Sequence, residues 1–179
     1  MVFDWDDFAE DNNRYDLLLQ LKELRPDFRC TMFAVPALGS LAFWSEVPEW
    51  IELAVHGWEH PSPYECASWS YGRMEALLDE PVVQEFFVEG FKAPGWQISD
   101  DCYRVLQERG WWVADHPENN LRRPVGLQCH VALGHGHWHG HIQDVCGNGL
   151  EETFPAVLDL VREADSFEFL SEAVTPWRQ

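Results

Sequence analysis

A chain of 179 residues has the length of one domain, enough to bury a core without disulfide or metal staples. Its 12 basic residues stand against 31 acidic ones. The resulting net charge of −19 repels phosphate backbones and anionic lipid surfaces, which argues against nucleic-acid and membrane partners and suits a neutral or cationic substrate. The plainer effect of the charge is solubility. Hydrophobic content of 46% and aromatic content of 14% fit a globular protein, and no apolar run approaches the roughly 20 residues of a bilayer span.

Residues 2–5 read as a short strand ending in Asp6 and Asp7. Apolar residues recur at helical spacing over 15–24, and Pro26 stops that helix. A second strand is predicted over 29–35, a short helix over 47–52, and a strand over 53–55 that ends at His56. A loop rich in Pro, Ser and aromatics fills 61–70. Helices are predicted over 71–78 and, restarting at Pro81, through Phe87. Residues 90–93 form a short strand stopped by Pro94-Gly95. Ser99-Asp100-Asp101 caps a helix through Arg109 that Gly110 closes, and 111–114 is a strand ending at Asp115. A strand over 125–133 precedes the Gly/His run to His141; 150–164 is a helix, 166–170 a last strand and 171–174 a closing turn.

Strands and helices thus alternate about seven times, which predicts an α/β fold of parallel βα units, either closing into a barrel or wrapping into a sheet. Asp6-Asp7, His56, Lys92, Asp115, His139 and His141 all fall at or just after strand C-termini. In α/β barrels that face carries the active site. The five cysteines (Cys30, Cys66, Cys102, Cys129 and Cys146) form no C-x-x-C pair, and the chain begins without a cationic, apolar leader. Reduced thiols and a cytoplasmic location are the expectation; a chain trimmed of an export signal reads the same way.

His56 and His60, at i and i+4, share one side of a helical turn that Pro61 forces to be short or irregular. With one carboxylate of Asp6-Asp7 they form a two-His, one-carboxylate set that leaves positions open for water and substrate. Adjacent strand residues face opposite ways, so Asp6 and Asp7 can cooperate only if the strand breaks there. The plainer readings are a solvated acidic turn and two satisfied imidazoles. Five of the eight His lie between His130 and His141. If that segment is extended, His135, His137, His139 and His141 share a face and can supply a general acid, since imidazole titrates near neutral pH. A second metal site and a His-rich loop are the alternatives. Lys92 can balance a carboxylate, and the Pro94-Gly95 turn can present an N–H to a developing oxyanion, unless it is an ordinary strand-ending turn.

In order and spacing, these pieces resemble the polysaccharide deacetylase family of carbohydrate esterases. Its Asp-Asp motif stands as Asp6-Asp7, its H-[S/T]-x-x-H-P motif as His56 to Pro61 (HGWEHP), and its R-x-P-x-G-like segment as Phe91 to Trp96 (FKAPGW). Its acidic or aromatic motif falls near Asp115, and its C-terminal His in the His139-Gly-His141 segment. The resemblance implies a distorted (β/α) barrel of about seven strands, with residues 1–179 as a single catalytic domain. It assigns Asp7, His56 and His60 to one divalent metal, with zinc the first choice for this ligand set. Asp6 becomes the general base and His141 or His139 the general acid, with Gly95 stabilising the oxyanion. Lys92, Trp96, Asp115 and Trp138 are the candidate substrate contacts. Two departures stand out: Gly57 replaces the hydroxyl residue, and Lys92 replaces Arg.

The activity implied is hydrolysis of an acetyl group from an N-acetylated or O-acetylated carbohydrate, a carbon–nitrogen bond other than a peptide bond in the former case. A water activated by the metal attacks the acetyl carbonyl. The abundant Trp and the altered third motif also suit a carbohydrate-binding relative without turnover. Amide hydrolysis on a non-sugar substrate is a third reading, since its chemistry is the same.

Overall fold

Long apolar runs with no exposed residue require a layer on each side, and they are typical of parallel sheets. The computed structural model, which describes residues 1–114, 136–145 and 147–173, arranges them so. Strands β1 (Val2–Phe8), β2 (Cys30–Ala34), β3 (Ile51–Val55), β4 (Gly90–Lys92), β5 (Trp112–Ala114) and β6 (His137–His141) form one sheet in the order β5-β4-β3-β2-β1-β6. Every pairing is parallel. The connections carry α1 (Tyr15–Leu24), α2 (Leu41–Glu46), α3 (Tyr71–Leu78), α4 (Pro81–Phe86) and α5 (Asp100–Glu108), and α6 (Leu150–Glu163) and α7 (Leu170–Ala173) follow β6. Ser40, Ser70 and Ser99 cap α2, α3 and α5, each accepting the N–H three residues on.

Side chains alternate between two cores. Phe3, Trp5, Met32, Leu53, Val55, Phe91 and Val113 pack in the large core that includes the helices. Val2, Phe33, Ala54, Trp112 and Ala114 pack inward with Leu170 of α7. The sheet curls around this second set as a half-barrel. A Cβ at Gly90 would lie 2.0 Å from the Trp112 ring, so glycine there admits the indole to the interior. At the lower end Thr31 donates to Glu52 (2.8 Å) and accepts the Leu170 N–H (2.9 Å), which fastens α7 across the base.

Six strands are present among the described residues rather than about seven. The predicted strand over 125–133 lies outside them. The predicted helix over 47–52 is absent: the helix comes earlier, over Leu41–Glu46, and Val47 is extended before Pro48. Ile51 and Glu52 instead open β3, because their pairing with Cys30 and Thr31 outweighs local helical preference. The predicted strand over 166–170 reduces to one bridge, Glu168 to Val2. There the chain passes the N-terminal end of β1, and it then turns beneath the barrel to insert Leu170. Cys30, Cys66 and Cys102 are free and buried. No helix among the described residues is long and apolar enough to cross a membrane.

Candidate active site at the C-terminal end of the sheet

The Asp pair is resolved by a bulge, not by an end to the strand. Trp5 pairs with Met32 and Phe8 with Ala34, so β1 spends one residue more than β2 over this interval. Asp7 absorbs the extra residue in the left-handed region, at φ 68. Asp4 and Asp6 point inward by alternation, and the bulge brings Asp7 to the same mouth. One Asp7 oxygen accepts from Gln143 (3.1 Å), and the Asn12 amide donates to the Asp7 carbonyl (2.7 Å). The other, Oδ1, lies 3.2 Å from His60 Nε2 and 3.6 Å from His56 Nε2.

His56 directly follows β3, and its N–H donates to the Ala34 carbonyl (2.8 Å). The loop beyond is irregular, as Pro61 demands: Gly57 and His60 have φ of 70 and 50. His56 Nδ1 lies 2.9 Å from the Lys92 carbonyl. A carbonyl only accepts, so Nδ1 carries the proton and neutral His56 presents the Nε2 lone pair to the Asp7 carboxylate. Burial lowers the His56 pKa and favours that neutral form. Two lone pairs facing each other call for a cation between them. The donor atoms of Asp7, His56 and His60 all lie within 4.8 Å of one another, so this set fits a divalent ion.

Behind Asp7 is a buried charge network. Lys92, 1% exposed, places Nζ 2.7 Å from Asp6 Oδ1 and 3.5 Å from Asp4 Oδ1. Asp4 also pairs with His137 and, at 2.7 Å, with His139 Nδ1. The ammonium sits over the rings of Trp96 (4.3 Å) and Phe33 (4.8 Å). Burial alone raises the carboxyl pKa of Asp4 and Asp6. The Lys92 charge, helped by His139 at both and by His56 at Asp6, more than offsets it and holds both below the usual carboxylate range. The second Asp6 oxygen faces His139 Nε2 and His141 Nε2, each at 3.8 Å. Asp6, His139 and His141 also lie within metal-binding reach of one another. Lys92, 3.1 Å from His139 and 2.7 Å from Asp6, already supplies positive charge there, which leaves this group suited to proton transfer.

The candidate residues therefore divide. Asp6, Asp7, His56, His60, Lys92, His139 and His141 gather at one mouth. Lys92 is buried against carboxylates, so its place is beneath the mouth and not on a substrate surface. Trp96 forms a wall, its ring centroid 5.7 Å from that of His139 and its backbone at φ 59. Gly95 has φ 55, and a Cβ there would lie 2.5 Å from the Pro63 carbonyl, so both conformation and space demand glycine. Trp138 is not at the mouth. It pairs with Phe3 in register and packs on the helix-side core, the face opposite His137 and His139. Asp115 lies outside the described residues.

Sequence reasoning missed the Asp4–His137 pair, although two-residue spacing from Asp6 and from His139 carried the signal. It also missed Gln143 and Glu65, for which no local pattern exists.

No protein-family model matches the sequence, and no curated protein matches it either. Solved structures do match. A family 4 acetyl xylan esterase from Clostridium thermocellum, solved with a cobalt ion, aligns at TM-score 0.62 and 14% identity over 96% of this chain and 88% of that one. The chitin deacetylase of Colletotrichum lindemuthianum aligns at 0.60 and 12% identity, over 98% and 87%. A family 4 pseudoenzyme from Bacillus anthracis aligns at 0.63 and 13% identity, over 96% and 63%. The fold is thus the polysaccharide-deacetylase type of (β/α) barrel found in family 4 carbohydrate esterases.

Proposed function

We propose that this chain is a divergent polysaccharide deacetylase, a metal-dependent hydrolase that removes an acetyl group from an N-acetylated or O-acetylated carbohydrate. The observation that carries the reading is the bulge at Asp7, which turns two neighbouring carboxylates to one mouth in different company. Asp7 faces His56 and His60, and Asp6 faces an ammonium and two further imidazoles, with His56 between the two carboxylates at 3.9 Å from Asp6 and 3.6 Å from Asp7. Asp7, His56 and His60 would hold one divalent ion, with zinc the first choice. Such an ion supplies Lewis acidity, which makes a water more acidic and polarises the acetyl carbonyl.

Asp6 accepts the proton of the attacking water on Oδ2, the oxygen not engaged by Lys92. Lys92 keeps Asp6 ionised until that moment. The Gly95 N–H donates to the oxyanion as the carbonyl carbon becomes tetrahedral. The proton taken up by Asp6 then passes from Oδ2 to His141 Nε2, 3.8 Å away, and His141 gives it to the departing amine or alcohol as the C–N or C–O bond breaks, leaving acetate. His141 is favoured over His139 by access: its side chain is 22% exposed against 12%, and Asp4 and Lys92 hold the His139 ring. Trp96 offers an aromatic wall to a sugar ring.

Metal analysis of the wild type beside His56→Ala and His60→Ala, with acetate release from a panel of acetylated sugars, tests this reading. One ion per wild-type chain, loss of metal in both variants and metal-dependent acetate release are expected. Unchanged metal in both variants would move the ion to Asp6, His139 and His141. Stoichiometric metal without any acetate release would make the chain a carbohydrate-binding relative.

A further inference from the structure

The loop from His56 to His60 departs from the pattern it resembles at Gly57, and another side chain fills the space this leaves. Glu65 opens a 3₁₀ turn, Glu65–Ser68, and its carboxylate reaches back into the loop. It accepts from the backbone N–H groups of Trp58 (3.1 Å), Glu59 (3.1 Å) and His60 (3.1 Å). Three successive N–H groups converging on one anion form a nest, and the bonds are charge-assisted. A Cβ at Gly57 would lie 2.2 Å from Glu65 Oε2 and 2.9 Å from Pro94 Cγ. The carboxylate and the missing side chain are therefore a matched pair: glycine at 57 is what admits Glu65.

The nest spans the residues between the two imidazoles and ends on His60 itself. His60 is a non-glycine residue at φ 50, a conformation that persists only where its surroundings enforce it. The Glu65 bond to the His60 N–H is one such enforcement. The bonds of the Glu65 carboxylate among the described residues all go to backbone N–H groups, so its effect passes through the backbone.

We propose that Glu65 is a positioning residue that fixes His60 over Asp7 and so sets metal affinity, in the place of the hydroxyl residue that Gly57 displaces. This rests on Asp7, His56 and His60 being the metal centre. Cobalt(II) binding to the full chain, followed by chelator competition and by the visible ligand-field spectrum, reads it directly. Glu65→Ala is expected to weaken cobalt binding about 10–100-fold, the usual effect of removing a group that orients a ligand, and to change the spectrum. Glu65→Gln keeps one acceptor oxygen and is expected to fall between Glu65→Ala and the wild type. A circular-dichroism melt identifies any unfolded variant, in which case Glu65→Gln decides. His60→Ala separates the metal centre from the role of Glu65. If it weakens cobalt binding while folded Glu65 variants bind with wild-type affinity and spectrum, the role of Glu65 is overturned and the metal centre stands. If His60→Ala leaves cobalt binding unchanged, the metal centre falls and the role of Glu65 falls with it.

Discussion

Asp6→Asn is expected to lower kcat for acetate release by about 10²–10⁴-fold, the usual contribution of a general base, while metal content stays at the wild-type level. The side chains are nearly isosteric. Asn keeps an oxygen for the Lys92 ammonium, which now bonds Asp6 at 2.7 Å, and Asp4 remains 3.5 Å away to balance that charge. What disappears is basicity at the oxygen facing His139 and His141. Asp7 keeps its bonds to Gln143 and Asn12, so the proposed ion-binding group is undisturbed. Acetate assays and metal analysis on one preparation check both halves. A wild-type rate would remove Asp6 from proton transfer, and loss of the ion would place Asp6 among the ligands.

Much of this arrangement was legible in the sequence wherever the signal was local. The helix over 15–24 matched to the residue, because its apolar spacing and Pro26 define both ends. Strand ends at His56 and Lys92 were legible because apolar runs stop there in charged or imidazole residues, whereas the strand expected to end at Asp6-Asp7 runs on to Phe8. The bulge was not legible: a strand break and a bulge leave the same residues in sequence, and only pairing with β2 distinguishes them. The Asp4–His137 and Asp4–His139 contacts depend on β6 adding beside β1, 133 and 135 residues along the chain. Trp138 was misplaced for a simpler reason. Once His137 and His139 share a face, the residue between them must take the other. Residues 47–52 show tertiary pairing overriding a local pattern, and Glu65 shows a contact to backbone, which leaves no pattern to read.

Lys92→Met is expected to destabilise the protein by about 3–5 kcal/mol, the effect of stripping a buried charge cluster of its counter-ion. In a domain of this size that is roughly 6–20 °C in Tm. Met fills much of the same volume between Phe33 and Trp96, so the loss is electrostatic rather than a cavity. The pH dependence separates these causes. In the wild type Asp6 has its pKa lowered in the fold, because Lys92 outweighs the cost of burial. Its stabilisation is therefore complete above the unfolded value of about 3.9 and is lost as pH falls through the lower folded value. Without Lys92, burial dominates at Asp6, and its folded pKa rises above the unfolded one. The contribution of Asp6 is then present below about pH 3.9 and is lost as pH climbs through the raised folded value. Urea unfolding measured from pH 4 to pH 7 should thus show the variant's deficit narrowing toward the acid end. A deficit constant across that range would mean that Lys92 acts by packing alone, and that Asp6 does not depend on it for its charge.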